Sequence, residues 1–172
     1  MINFRKISSF LAGGVAYAVL ASAPLESRAE NAQMIQQRLA LEHPTVLLAR
    51  ALWGEASSCS KEEQIAIGYT AVNRQRKTKR PLSEILLEGY TCFKGVSGAQ
   101  VLYPERHDDP KVFEQCLKVA QGILRGAYQD PTNGATHYYR SDSTPYWASS
   151  LKTKKVLQTS RGKSKHVFGK MK

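Results

Sequence analysis

The 172-residue chain has no long apolar run. Its longest, Phe10–Ala23, has 14 residues, short of the about 20 that a spanning helix needs. Cysteine is scarce. Cys59, Cys92 and Cys116 stand too far apart for a compact zinc site, which uses close pairs. The histidines His43, His107, His137 and His166 form no HExxH pair, which removes the common metalloprotease arrangement. Low-complexity segments and internal repeats are absent, so solenoid and tail-like classes fall away. Acidic residues are few, 14 against 25 Lys and Arg, for a formal charge of +11. Such an excess suits a polyanionic partner: nucleic acid, an anionic membrane surface or an anionic cell-wall polymer. Charge does not choose among them. The five basic residues within Arg74–Arg80 carry no interleaved aromatics. They read as a solvated loop rather than a single-strand nucleic-acid patch.

Residues 1–29 read as a targeting segment. Arg5 and Lys6 precede the apolar run, and Ser27-Arg28-Ala29 offers small residues for cleavage before Glu30. An uncleaved weak anchor, with transient membrane association through residues 7–23, is the second reading. A first core helix of a cytosolic protein is the third. Cleavage would remove three basic residues and one acidic residue, leaving +9. Residues 30–172 then form one domain of a size able to bury a real core. Export would allow one disulfide, with Cys92–Cys116 as the expected pair. Three buried free thiols are the alternative.

Within that domain, Glu30–Leu41 has helical spacing and Pro44 is expected to stop it. Thr45 is the expected N-cap of the next helix. Residues 45–53 are apolar on almost every side, with Arg50 the one charge, so this helix belongs in the core. Ser60 and Glu63 form an expected capping box for a helix to about Arg76. Its apolar face is Ile65, Tyr69 and Val72, and Asn73 follows on the same side. Pro81 opens a short helix that Gly89 ends. Tyr90–Phe93 reads as a short strand or extended loop, and residues 94–109 as a long irregular segment of the kind that borders clefts. Asp109-Pro110 begins the clearest amphipathic helix, to about Ala127, with Cys116 on its buried face. Turn chemistry at Asp130–Gly134 precedes a strand around Ala135–Arg140. The tail from Leu151 carries eight Lys or Arg and no acid. His166-Val167-Phe168 is its expected strand.

Glu55 stands where the buried helix exits, after Trp53 and Gly54, and Gly54 is expected to loosen or end that helix. A carboxylate leaving an apolar core beside an aromatic ring is disfavoured in its charged form, so it can hold a proton and serve as a general acid. A surface glutamate just past a helix end is the plain alternative.

Six short motifs then occur in one order: Trp53-Gly54-Glu55-Ala56, Ala71-Val72-Asn73-Arg74, Tyr90-Thr91-Cys92-Phe93, Gly134-Ala135-Thr136-His137-Tyr138-Tyr139, Trp147 and His166-Val167-Phe168. Over about residues 46–169 the chain resembles the SleB/CwlJ type of cell-wall hydrolase. Lys163-Ser164-Lys165 stands where that pattern commonly has a glycine-rich turn. The resemblance implies an α+β, mainly α fold, a lysozyme-like helical domain with a small β element. It implies cleavage of peptidoglycan between N-acetylmuramic acid and N-acetylglucosamine in the manner of a lytic transglycosylase, with Glu55 as the single acid-base residue. No metal, no cofactor and a monomer are expected; the targeting segment points to an exported protein of the periplasm or cell envelope and argues against a nucleic-acid partner. Asn73, Thr91, Phe93, His137, Tyr138, Tyr139, Trp147 and His166 match motif positions and are the expected substrate-binding residues. Tyr138, Tyr139 and Trp147 are expected along the sugar groove.

A hydrolytic muramidase is the close rival, and its second carboxylate would come from Glu105, Asp108 or Asp109. A zinc amidase would need ligands from the scattered histidines. A non-catalytic wall-binding module would use the basic tail and the aromatics, leaving Glu55 structural.

Overall fold

A computed structural model describes residues 25–94, 101 and 110–171, with side chains from residue 33 onward. The targeting segment lies outside the described residues as far as residue 24. Five helices are described: α1 (Leu25–Ala40), α2 (Pro44–Ala56), α3 (Lys61–Thr78), α4 (Leu82–Gly89) and α5 (Pro110–Leu124). Short 3-10 segments cover Thr91–Phe93 and Tyr146–Ser150. Three strands complete the fold: β1 (His137–Arg140), β2 (Leu151–Thr159) and β3 (Gly162–Met171). No described helix is long and apolar enough to cross a membrane.

Helix α2 is the centre of the core. Leu47, Leu48, Ala49, Ala51 and Leu52 have no exposed surface. Each fully buried leucine contributes about 2 kcal/mol of apolar burial. Helices α3, α4 and α5 and the Thr91–Phe93 turn all pack on α2. Arg50, midway along it, forms an ion pair with Glu42 at 2.6 Å and donates to the Val101 carbonyl at 2.7 Å.

The start of α2 differs from expectation. Pro44 opens the helix instead of stopping the one before it, and His43 is the cap, its Nδ1 accepting from the Thr45 N–H. Proline suits the first helical position because its missing N–H would have no partner there. Ser60 caps α3 as expected, accepting from the Glu63 N–H at 3.3 Å. The Glu63 carboxylate does not complete the box; it turns to β3. Helix α3 runs past Arg76 to Thr78, so much of the basic stretch is helical. Arg74 donates to the Thr136 carbonyl and lies over the Tyr90 ring, and Arg80 pairs with Glu84 and Glu88. Helix α5 ends at Leu124, leaving Ala127 exposed beyond it.

The sheet order is β1-β3-β2, with both pairings antiparallel. The basic tail is therefore a hairpin whose second strand is central. Strand alternation sorts its residues: Ser164, His166 and Phe168 are buried, while Lys163 and Lys165 face solvent. Tyr138 on β1 stands opposite Phe168. The turn before β1 is built on Asp130, which accepts from the Thr132 N–H, the Gly134 N–H and Asn73 Nδ2. Asn133 and Gly134 both take positive φ there, 56° and 78°, where asparagine and glycine are tolerated best.

The expected Cys92–Cys116 disulfide is corrected. All three cysteines are free and buried. Cys92 sits in the turn against one part of α2, while Cys116 lies on α5, which packs on α2 separately. Burial pushes the Cys116 thiol up to about 12, and burial with the Glu55 charge pushes Cys92 further. Both stay protonated at neutral pH, and the thiolate is the reactive form.

Candidate active site

Glu55 lies in the last turn of α2 and is half-buried. The helix does not end at Gly54, which serves another purpose. A Cβ placed on Gly54 would stand 2.5 Å from the Cys92 Cβ and 3.0 Å from its Sγ. The missing side chain lets the Thr91–Phe93 turn close onto α2. That approach brings two donors to one carboxylate oxygen: Thr91 Oγ1 and the Cys92 N–H each reach Glu55 Oε1 at 3.0 Å. The turn is 3-10, not the expected short strand or extended loop. A strand would not aim an N–H and its neighbour's hydroxyl at one atom.

The other carboxylate oxygen, Oε2, accepts from the Tyr138 hydroxyl at 3.1 Å. Burial, then the neighbouring Tyr90 and Glu55, push the Tyr138 hydroxyl well above the ordinary phenol value. It therefore remains a donor at neutral pH. Tyr138 is seated by rings on three sides: Tyr90 at 6.0 Å, His166 edge-on at 5.4 Å and Phe168 at 6.3 Å. Tyr90 is itself buried and shares a hydrogen bond with Thr70 Oγ1 at 3.0 Å. Glu55 is thus held by three fixed donors from the turn and the sheet. Such a carboxylate is held in one orientation, with polar groups around a half-exposed position where a substrate oxygen can approach.

The structure sorts the remaining expected site residues. Thr91 and Tyr138 touch Glu55. Tyr139 and Trp147 do not join Tyr138, because neighbouring residues on a strand point to opposite faces. His137 and Tyr139 instead meet Trp147 on the outer face, at 5.6 and 5.8 Å between ring centroids. The expected row of three aromatics is split, with Tyr138 inside and Tyr139 and Trp147 outside. Phe93 has no exposed surface and offers nothing to a ligand. Asn73 is occupied by Asp130 at 2.9 Å and the Ala135 carbonyl at 3.0 Å, so its partners are structural and not beside Glu55. His166 is buried, with Nδ1 at 2.9 Å from Glu63 Oε1. Phe93, Asn73 and His166 are thus buried, and the partners of Asn73 and His166 come from the fold itself. Burial, with the cations of Arg74 and Lys77, lowers His137 to about 4, so it is neutral at neutral pH. Glu105, Asp108, Asp109 and His107 lie outside the described residues.

Sequence reasoning missed the Cys92 N–H and the pairing of Glu63 with His166. A backbone donor has no side-chain signature. The Glu63 spacing was already explained by a capping box.

Fold and site together define a mainly helical α+β domain with a donor-held carboxylate at a helix exit. The Cell Wall Hydrolase family model matches residues 58–168, and the chain belongs to that family. The matched stretch begins after Glu55, so the case for Glu55 stands on its geometry. Among solved structures, the catalytic domain of the germination-specific lytic transglycosylase SleB from Bacillus anthracis is similar, with 21% identity and a TM-score of 0.54. That match covers 74% of this chain and 93% of that one. The catalytic domain of the Bacillus cereus SleB protein also matches, with 21% identity, a TM-score of 0.45, and coverage of 74% and 89%. The first likeness shows the shared fold. No curated protein sequence matches the chain significantly.

Proposed function

We propose that this cell wall hydrolase cleaves the glycan strand of peptidoglycan between N-acetylmuramic acid and N-acetylglucosamine, as a lytic transglycosylase with Glu55 as its acid-base residue. The observation that carries this reading is the Glu55 carboxylate held by Thr91, the Cys92 N–H and Tyr138 at the exit of the buried helix. The name of the Bacillus anthracis relative supports the transglycosylase outcome.

Glu55 donates a proton to the glycosidic oxygen as the bond to the muramic C1 breaks. The resulting carboxylate then takes the proton of the muramic C6 hydroxyl, whose oxygen bonds to C1. The products are a free N-acetylglucosamine hydroxyl and a 1,6-anhydromuramic end. The internal hydroxyl takes the place of water, so no second carboxylate is required to direct a nucleophile. Tyr138 and Thr91 position the carboxylate. Tyr139, Trp147 and His137 offer a stacking face to sugar rings farther along the strand. Residues 1–29 direct the chain to the envelope, where its positive charge favours approach to an anionic wall.

The test is mass spectrometry of muropeptides released from purified peptidoglycan by the wild type and by Glu55→Gln. Anhydromuramic ends from the wild type alone are expected. Reducing muramic ends would overturn the transglycosylase in favour of a muramidase. No release by a folded wild type, with wall binding kept, would leave a binding module.

A further inference from the structure

Cys59, Glu63 and His166 make a second polar centre that the proposed reaction does not use. Cys59 lies in the turn after α2, Glu63 in the first turn of α3, and His166 in β3. One ligand atom from each lies within 4.8 Å of the other two. The three residues are only 5%, 3% and 5% exposed. Glu63 Oε1 accepts from the backbone N–H of His166 and faces its Nδ1, both at 2.9 Å. The His166 imidazole and the Cys59 thiol both reach this buried carboxylate. A thiol, an imidazole and a carboxylate converging in a water-poor pocket are the donor types that zinc takes.

We propose that Cys59, Glu63 and His166 bind one zinc ion, which pins the β2–β3 hairpin to the helical body. The charges balance: a thiolate and a carboxylate neutralise the divalent ion, with the imidazole neutral. Binding releases the thiol proton and any proton shared by Glu63 and His166. Zinc bond lengths of about 2.0–2.3 Å place tetrahedral ligand atoms roughly 3.5 Å apart. Glu63 and His166 need only part by a few tenths of an ångström. The fourth position falls to water or a backbone carbonyl. The site is structural and holds no substrate. It bears on the active site through one residue, since the His166 ring meets the edge of Tyr138, whose hydroxyl holds Glu55. No motif announces it, because Glu63 and His166 are 103 residues apart.

The experiment uses the untagged full chain, stripped with chelator, shown to be folded, and titrated with Co2+ and then Zn2+. One equivalent of Co2+ is expected, with a near-ultraviolet thiolate-to-cobalt charge-transfer band that Zn2+ abolishes. Cys59→Ser should lose the band and bind zinc roughly tenfold or more weakly. Cys92→Ser and Cys116→Ser should keep both. X-ray absorption of the zinc-loaded wild type should show one sulfur at about 2.3 Å with nitrogen and oxygen ligands. That measurement decides the matter even if Cys59→Ser fails to fold. A folded wild type that takes up neither metal would overturn the proposal and leave a hydrogen-bonded knot. Sulfur-free coordination, or a band that survives in Cys59→Ser, would overturn it as well.

Discussion

Two glutamates stand on either side of the turn between α2 and α3, and the fold treats them in opposite ways. Glu55, at the exit of α2, is half-buried and faces three uncharged donors. Glu63, in the first turn of α3, is buried and committed to His166. Both are short walks from a helix end, and neither is special by residue type. The difference comes from what packs over each. A glycine at position 54 admits a tight turn and leaves room for an approaching ligand. A central strand covers Glu63 and leaves none. The same chemical group thus becomes a candidate acid in one place and a fastening in the other.

The comparison breaks most sharply under exchange of the carboxyl for an amide. Glu55→Gln is expected to lower peptidoglycan cleavage by about 10²–10⁴-fold, with thermal unfolding nearly unchanged. Unfolding of Glu55→Gln as severe as that of a core variant would show that Glu55 is structural. Glu63→Gln should do the reverse. Taking the carboxylate acceptor from the buried His166 donors costs about 3 kcal/mol, or a drop in Tm of roughly 10 °C. Activity per folded molecule should fall far less than in Glu55→Gln, as paired calorimetry and muropeptide assays would reveal.

Gly54→Ala sharpens the contrast by acting on the gap itself. The new Cβ meets Cys92, and overpacking of this kind costs about 1–3 kcal/mol. Activity should fall as well, because the displaced turn carries two of the donors to Glu55. The double variant Gly54→Ala, Cys92→Gly should recover part of both losses. Failure to recover would separate the glycine from the turn. A smaller effect is expected from His137. Its folded value is lowered to about 4 by burial, Arg74 and Lys77, against an ordinary value of 6.5. The unfolded chain therefore takes up a proton that the folded chain refuses between those values. Stability should fall as pH drops from 6.5 to about 4 and show no further loss from this residue below. His137→Asn should flatten that part of the stability curve.

A further acid loss belongs to Asp130. Burial raises this carboxyl, but hydrogen bonds from Thr132, Asn73 and Gly134 outweigh it and hold it below its ordinary value. Its contribution is present above 3.8 and is lost as pH falls through the lowered value. The His137 window lies above that of Asp130, and His137→Asn should remove the upper one alone.

The helical frame was legible from residue order alone, because periodicity and caps act locally. An all-round apolar segment had to be the core helix, Ser60 had to cap its successor, and Asp130–Gly134 had to turn. Residue order also placed Glu55 at the helix exit. What each polar group faces was set by the packing of distant segments. The hairpin of the basic tail hid its first strand, since five of the nine residues in Leu151–Thr159 that should signal a strand lie exposed in one run, Lys152–Val156. Which of Tyr138 and Tyr139 faces Glu55 required knowing which face of β1 meets the core. The free thiols, the half-made capping box and the donors on Glu55 all depend on contacts between distant segments. Such contacts are set by packing, which no local pattern encodes.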